Sequence, residues 1–158
     1  MTRATSPDVG LAGELRGSSL LPKIPVERSV LVVEADPDVQ VQVARSLRAQ
    51  GHRVVGTSSG DGALALVTEW AVDLVLVSQD LPGRTGVEVT RILRERRPSV
   101  PVVLMVSGTE GAIREAARLA GAAGCVPKPL SLDTLNLWLG PPIVPRLREL
   151  STGISVAE

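Results

Sequence analysis

The chain has 158 residues, enough for one domain with a full hydrophobic core and short tails. Seventeen basic side chains balance seventeen acidic ones, which excludes the basic excess of proteins that coat nucleic acid or an anionic membrane surface. The single cysteine, Cys125, and the single histidine, His52, exclude an intrachain disulfide and any multi-cysteine or histidine-based metal site.

Aromatic residues and apolar runs narrow the class of protein further. Trp70 and Trp138 are the only aromatic side chains, too few for a surface that stacks single-stranded bases. No apolar run approaches the roughly 20 residues needed to cross a bilayer, and residues 1–28 lack the apolar core of a signal peptide. We therefore expect a cytoplasmic protein that binds neither nucleic acid nor membrane.

Regular structure is predicted for residues 28–140, between a flexible N-terminal arm (1–27) and a C-terminal tail (141–158). In the central segment, short β-branched apolar runs alternate with segments of helical period. Asp36 and Pro37 are typical of a helix start, and Gly51 of its end. Strands are predicted at 30–33, 53–56, 73–77, 101–106 and 125–126, and helices at 37–50, 60–70, 84–97, 110–120 and after Ser131.

Five strands that alternate with five helices predict an α/β fold with a doubly wound parallel sheet, because each parallel crossover needs a bridging helix. In such sheets, sites form at the carboxyl ends of the strands. A nucleotide-binding or enzyme domain on this fold is a weaker hypothesis, since no Gly-rich fingerprint follows the first strand. The polar segments at the carboxyl ends are Glu34-Ala35-Asp36, Ser78-Gln79-Asp80, Ser107-Gly108 and Lys128-Pro129.

Several segments, in order and at matching spacing, resemble the receiver domain of bacterial two-component response regulators. The resemblance covers about residues 29–140 and implies the flavodoxin-like receiver fold, with the βα unit repeated five times. The matching segments are Val-Leu-Val-Val-Glu-Ala-Asp-Pro-Asp-Val (30–39), Asp-Leu-Val-Leu-Val-Ser-Gln-Asp-Leu-Pro-Gly (73–83), Gly86, Ser107-Gly108 and Ala-Gly-Ala-Ala-Gly-Cys-Val-Pro-Lys-Pro-Leu (120–130).

The resemblance implies a phosphorylation pocket in which some residues fit the family and others depart from it. Receivers accept a phosphoryl group on an aspartate that holds Mg²⁺ together with an acidic pair, and a hydroxyl and a lysine contact the phosphoryl oxygens. Glu34, Ser107 and Lys128 fall on the first acid, the hydroxyl and the lysine. Ala35 replaces the second acid, and Ser78 replaces the phosphoacceptor.

These departures imply a degenerate receiver that is not an enzyme and has lost Mg²⁺ binding. Mg²⁺ in such a site depends on carboxylate ligands, and Ala35 and Ser78 remove two of three. Without the metal, phosphoryl transfer loses most of its charge neutralisation. We expect Lys128 to form an ion pair with Glu34 at the carboxyl edge of adjoining strands, and Asp36 to serve only as a helix cap.

The alternative function is that of a response regulator phosphorylated in a phosphorelay at an unconventional acceptor, Asp80. Its place in a turn before Leu81-Pro82 favours a solvated loop acid instead. His52 is expected at the surface of a helix–strand turn, and Cys125 is expected as a small buried filler where the family often has a switching aromatic.

A non-catalytic module of this type would act through a protein surface. In receivers the face of the fourth helix, fifth strand and fifth helix commonly docks another signalling protein or a second copy. Here the buried stripe of the last helix (Leu132, Leu135, Leu139) turns Leu137 and Trp138 outward. We therefore expect an exposed Trp138 to anchor a partner on a face that includes Cys125 and Leu137.

Overall fold

The computed structural model describes residues 26–108 and 111–140, and within these ranges five strands alternate with five helices. The strands are β1 (Ser29–Val33), β2 (Arg53–Thr57), β3 (Leu74–Ser78), β4 (Val102–Val106) and β5 (Gly124–Pro127). The helices are α1 (Pro37–Ala49), α2 (Gly60–Glu69), α3 (Gly86–Arg96), α4 (Gly111–Ala120) and α5 (Leu132–Leu139).

The strands form one parallel sheet in the order β2-β1-β3-β4-β5. This order confirms the predicted doubly wound α/β fold. The strands β3 and β4 are buried along their whole length, as expected for central strands covered by helices on both faces. β3 starts and ends one residue later than predicted, so that Ser78 is its last residue and pairs with Met105 of β4.

Each face of the sheet carries its own hydrophobic core. One core joins α2, α3 and α4 to side chains such as Leu31 and Val77. The other joins α1 and α5 to the alternate side chains of the same strands, such as Val30 and Leu76. The alternation follows from the two-residue period of a β-strand, and it leaves the carboxyl ends of the strands as the open edge of the sheet.

Side-chain caps fix where two of the helices begin. The Asp36 carboxylate accepts the backbone N–H of Asp38 at 2.9 Å, which confirms the predicted N-cap of α1. α3 begins at Gly86 rather than at residue 84, because Thr85 and Glu88 form a capping box around its first turn. The capping box thus shortens the predicted helix at its start.

The prediction that His52 lies at the surface is wrong. Its side chain is only 4% exposed, and Nδ1 accepts the backbone N–H of Arg28 at 3.0 Å. Burial and the nearby Arg28 charge lower the pKa of His52. His52 therefore helps to hold the segment that leads into β1, a role that its position after Gly51 did not indicate.

Several predictions concern residues outside the described ranges. These are the N-terminal arm up to residue 25, the predicted start of the fourth helix at residue 110, and the tail 141–158; the inward orientation of the Leu132 side chain is likewise not described. Among the described residues, no helix is long and apolar enough to span a membrane.

Candidate functional site

The carboxyl edge of the sheet brings Glu34, Ser78 and Lys128 into direct contact. Glu34 follows β1, Ser78 ends β3, and Lys128 follows β5. The expectation that Glu34 and Lys128 follow adjoining strands is wrong, because β3 and β4 lie between β1 and β5. The Lys128 side chain is long enough to reach past β4, and its Nζ contacts both Ser78 and Glu34.

Lys128 makes two contacts in the pocket. Its Nζ lies 2.7 Å from Glu34 Oε1, which confirms the predicted ion pair, and it donates a hydrogen bond to Ser78 Oγ at 2.8 Å. The Lys128 side chain is 16% exposed and that of Glu34 is 2% exposed. Since the contact with Glu34 lies outside hydrogen-bond geometry, the attraction there is mainly one of charge.

Backbone contacts hold Glu34 from the other side. Its Oε2 accepts the backbone N–H of Asp36 at 3.0 Å, and its own N–H donates to the Thr57 carbonyl at 3.0 Å. The Gln40 side chain donates to the carbonyls of Glu34 and Thr57 at 2.9 and 3.1 Å. Gln40 thus ties the ends of β1 and β2 together, and no sequence pattern marked it, because both bonds go to backbone carbonyls.

Ser78 is fully buried at the floor of the pocket. Its Oγ accepts the backbone N–H of Asp80 at 3.2 Å in addition to the Lys128 ammonium. The Ser–Lys contact is short enough for a nucleophile and its base. However, an ammonium paired with Glu34 has no lone pair with which to take the hydroxyl proton. The arrangement therefore stabilises the pocket rather than activating Ser78.

The remaining predicted pocket residues lie around this centre. Ser107 Oγ donates to Asp80 Oδ2 at 3.3 Å, so that the loops after β3 and β4 are joined by a hydrogen bond. Asp80 is exposed, as expected for a loop acid. Asp36 is also exposed, and Ala35 is half-buried with no polar side-chain group to contribute. The structure thus joins Ser107 and Asp80 to the Lys128 cluster and leaves Asp36 at its margin.

The described residues do not fit a Mg²⁺ ion at this edge. Glu34 is the one described pocket acid whose carboxylate contacts Lys128, and Ala35 offers no side-chain oxygen beside it. No group of three acidic, histidine or cysteine side chains in the described part of the chain could hold a metal ion. The Lys128 ammonium supplies the positive charge next to Glu34 that a cation would otherwise supply.

The three residues of the predicted partner face do not share one surface. Leu137 is 74% exposed, whereas Trp138 is half-buried, and its ring packs over Gly124. Cys125 packs into the core on the opposite face of the sheet, where burial raises the pKa of its thiol. The expectation of an exposed Trp138 is therefore wrong, because Gly124 leaves space on β5 that the indole fills.

A five-stranded parallel sheet with an acid after β1, a polar residue ending β3 and a lysine after β5 is the arrangement expected of a receiver-type signalling domain. The chain matches the response regulator receiver domain family over residues 30–139 and belongs to that family. The predicted resemblance is thus confirmed at the level of the family.

Known proteins of several kinds are similar to this chain. TcrA, a transcriptional regulatory protein of Mycobacterium tuberculosis H37Rv, is 35% identical over 67% of this chain and 42% of its own length. The sensor protein EvgS of Escherichia coli K12 is 30% identical over 73% of this chain and 10% of its own length. The chemotaxis protein CheY4 of Vibrio cholerae shares the fold, with a TM-score of 0.68 and 23% identity over 72% of this chain and all of that one. The chain spans less than half the length of these two curated relatives.

Proposed function

We propose that this receiver domain acts in signalling without phosphorylation, through contact with another protein. The observation that carries the proposal is the double contact of Lys128 with Glu34 and Ser78. In this arrangement the charges of Lys128 and Glu34 neutralise each other. The pocket therefore resembles a closed structural cluster more than a site for phosphorylation of Ser78.

The chemistry of Ser78 supports the same proposal. A hydroxyl must lose a proton before it can attack a phosphorus atom, and no base faces Ser78 among the described residues. Its complete burial also denies a phosphodonor access to Oγ. Receiver phosphorylation depends on positioning and on neutralisation of the transferring oxygens, and this pocket has Ser78 at the acceptor position and Ala35 at the position of the second acid.

Incubation with acetyl phosphate and Mg²⁺, followed by intact-mass measurement, tests the proposal. We expect no added phosphoryl group on the wild-type chain. The matched control is the double variant Ala35→Asp with Ser78→Asp, which rebuilds the acidic set on the same scaffold and should gain one phosphoryl group. A stable gain by the wild-type chain would contradict the proposal.

A second candidate function is phosphorylation at Asp80, because its exposed carboxylate is already hydrogen-bonded to Ser107. The same mass experiment separates the two candidates. A phosphoryl group that appears on the wild-type chain and disappears in Asp80→Asn would favour this second candidate. Retention of the phosphoryl group in Asp80→Asn would exclude it.

The partner in our proposal is another signalling protein or a second copy of this domain, bound at the face of α4, β5 and α5. Since Trp138 packs over Gly124, Leu137 is the better anchor on α5. We expect Leu137→Asp to weaken self-association in sedimentation or capture of the cognate partner. The matched control is Val41→Asp, the same kind of substitution at an exposed aliphatic residue of α1, where Val41 is 51% exposed. Equal effects of both variants would argue against this face.

A further inference from the structure

A cavity of about 760 Å³ opens between α1 and α5, next to the pocket described above. Its volume lies within the range of about 300–1,000 Å³ found for sites that bind small molecules. It is a separate space from the buried Ser78 cluster, although Lys128 and Ser107 border it. The cavity is therefore large enough for a ligand of its own.

One face of α1 forms the first wall of the cavity. Val39, Gln42, Val43 and Ser46 line it. Their spacing of three, four and seven residues places them on the same side of a helix. This wall alternates aliphatic with uncharged polar side chains, so it can pack against an apolar molecule without burying a charge.

The opposite wall and the end of the cavity differ in character. Leu130 and Leu135 supply an aliphatic surface, and Ser107 and Lys128 supply polar groups at the carboxyl edge. No acidic side chain occurs among the described residues that line the cavity. The walls of the cavity are thus largely aliphatic, and its end carries the hydroxyl of Ser107 and the ammonium of Lys128.

Lys128 retains hydrogen-bonding capacity toward a ligand. An ammonium group has three N–H donors, and the described partners of Lys128 are Glu34 Oε1 and Ser78 Oγ. A carboxylate is the ligand group that pairs best with an ammonium, whereas the single hydroxyl proton of Ser107 is already donated to Asp80. A doubly charged anion is disfavoured, because Glu34 lies at 2.7 Å from the same ammonium and Asp80 accepts from the same Ser107.

From this lining we infer that the cavity binds a small monocarboxylate with an apolar body. The carboxylate contacts Lys128, and the apolar body packs between Val39 and Val43 on one side and Leu130 and Leu135 on the other. Such a ligand would reach the same lysine that holds Glu34 and Ser78. The inference goes beyond the proposed function, because it assigns a chemical input that needs no phosphoryl group.

Sodium octanoate, titrated into the ¹⁵N-labelled full chain and followed by amide chemical shifts, tests the inference. We expect saturable shifts that include Gln42, Ser46 and Lys128. Octanoate should bind about tenfold or more tightly than 1-octanol, its uncharged match, since a charge-assisted contact is lost in the alcohol. Inorganic phosphate at the same concentrations should cause no saturable shift at these residues.

Two variants locate the site. Ser46→Phe places a ring in the cavity and should abolish octanoate binding, whereas Arg45→Phe places the same ring on an exposed position of α1 and should leave it unchanged. Lys128→Met should reduce octanoate affinity about tenfold or more and leave that of 1-octanol nearly unchanged. Circular dichroism confirms that each variant is folded.

The inference is overturned if octanoate shifts do not saturate, if Ser46→Phe binds as the wild type does, or if phosphate competes with octanoate. None of these results affects the test with acetyl phosphate. Failure of the carboxylate site and failure of the proposed function are therefore distinguishable.

Discussion

At the scale of single residues, Lys128 and Glu34 form the most deeply buried ion pair in the described structure. Removal of Lys128 leaves Glu34, which is 2% exposed, as a buried unpaired charge. Such a loss costs on the order of 3–5 kcal/mol when burial is deep. The 16% exposure of the Lys128 side chain places the expected cost toward the lower end of that range.

We therefore expect Lys128→Ala to lower the free energy of unfolding by about 3–4 kcal/mol, and Glu34→Gln to recover much of this loss in the double variant. A double-mutant cycle by urea denaturation measures the coupling. Lys128→Met keeps the aliphatic stem of the side chain and separates lost packing from lost charge. Simple additivity of the two substitutions would show that the pair contributes no coupling.

The lowered pKa of His52 predicts that the stability of the domain depends on pH. Burial and then the Arg28 charge lower its pKa in the folded state, so the unfolded chain takes up a proton first as the pH falls below about 6.5. The stabilising effect is therefore present above that pH and is lost on acidification. Because His52 is the only histidine, the effect can be isolated by one substitution.

We expect the Tm of the wild-type chain to fall more steeply than that of His52→Asn between pH 7.5 and pH 5.5, as measured by calorimetry. Asparagine keeps an acceptor near the position of Nδ1, which takes the Arg28 N–H. Parallel Tm curves for the two proteins would refute this role of His52.

At the scale of secondary-structure elements, the contact between β5 and α5 depends on the absence of a side chain at Gly124. A Cβ atom at Gly124 would lie 2.5 Å from Cζ2 of Trp138, so the ring or the helix would have to move. The contact explains why Trp138 is half-buried. It also fixes α5 against the edge strand of the sheet.

We expect Gly124→Ala to destabilise the domain by about 1–3 kcal/mol through overpacking, and to shift the Trp138 fluorescence as the ring becomes more exposed. Gly111→Ala is the matched control, because nothing lies within 4 Å of a Cβ at that position. Adding Trp138→Leu to Gly124→Ala should restore part of the stability. Equal free energies of unfolding for both glycine variants, measured by urea denaturation, would show that the Trp138 ring can move away from a Cβ at position 124 without loss of stability.

At the scale of the whole molecule, Mg²⁺ should not stabilise the fold. A ligand raises stability only if it binds the native state, and Lys128 already lies against the Glu34 carboxylate. We expect the wild-type Tm to be unchanged by millimolar Mg²⁺. The Tm of Ala35→Asp with Ser78→Asp should rise with Mg²⁺, because that variant restores the carboxylate ligands. A saturable rise in the wild-type Tm would show that the pocket still holds the metal.

The sequence alone determined the features that depend on local patterns. Runs such as residues 30–33 predicted the buried strands, and Asp36-Pro37 predicted the start of α1. The alternation of five strands with five helices predicted a parallel sheet, since a parallel crossover needs a helix. The types of residue at the carboxyl ends, among them Glu34, Ser78 and Lys128, also followed from the sequence and its resemblance to receivers.

Only the tertiary structure decided which of these side chains touch. Lys128 and Ser78 are 50 residues apart, and their contact depends on the strand order, which places β3 between β1 and β4. The burial of His52 depends on the segment that enters β1, and that of Trp138 on a glycine in a neighbouring strand. Such contacts have no periodic signal, because they join parts of the chain that only packing brings together.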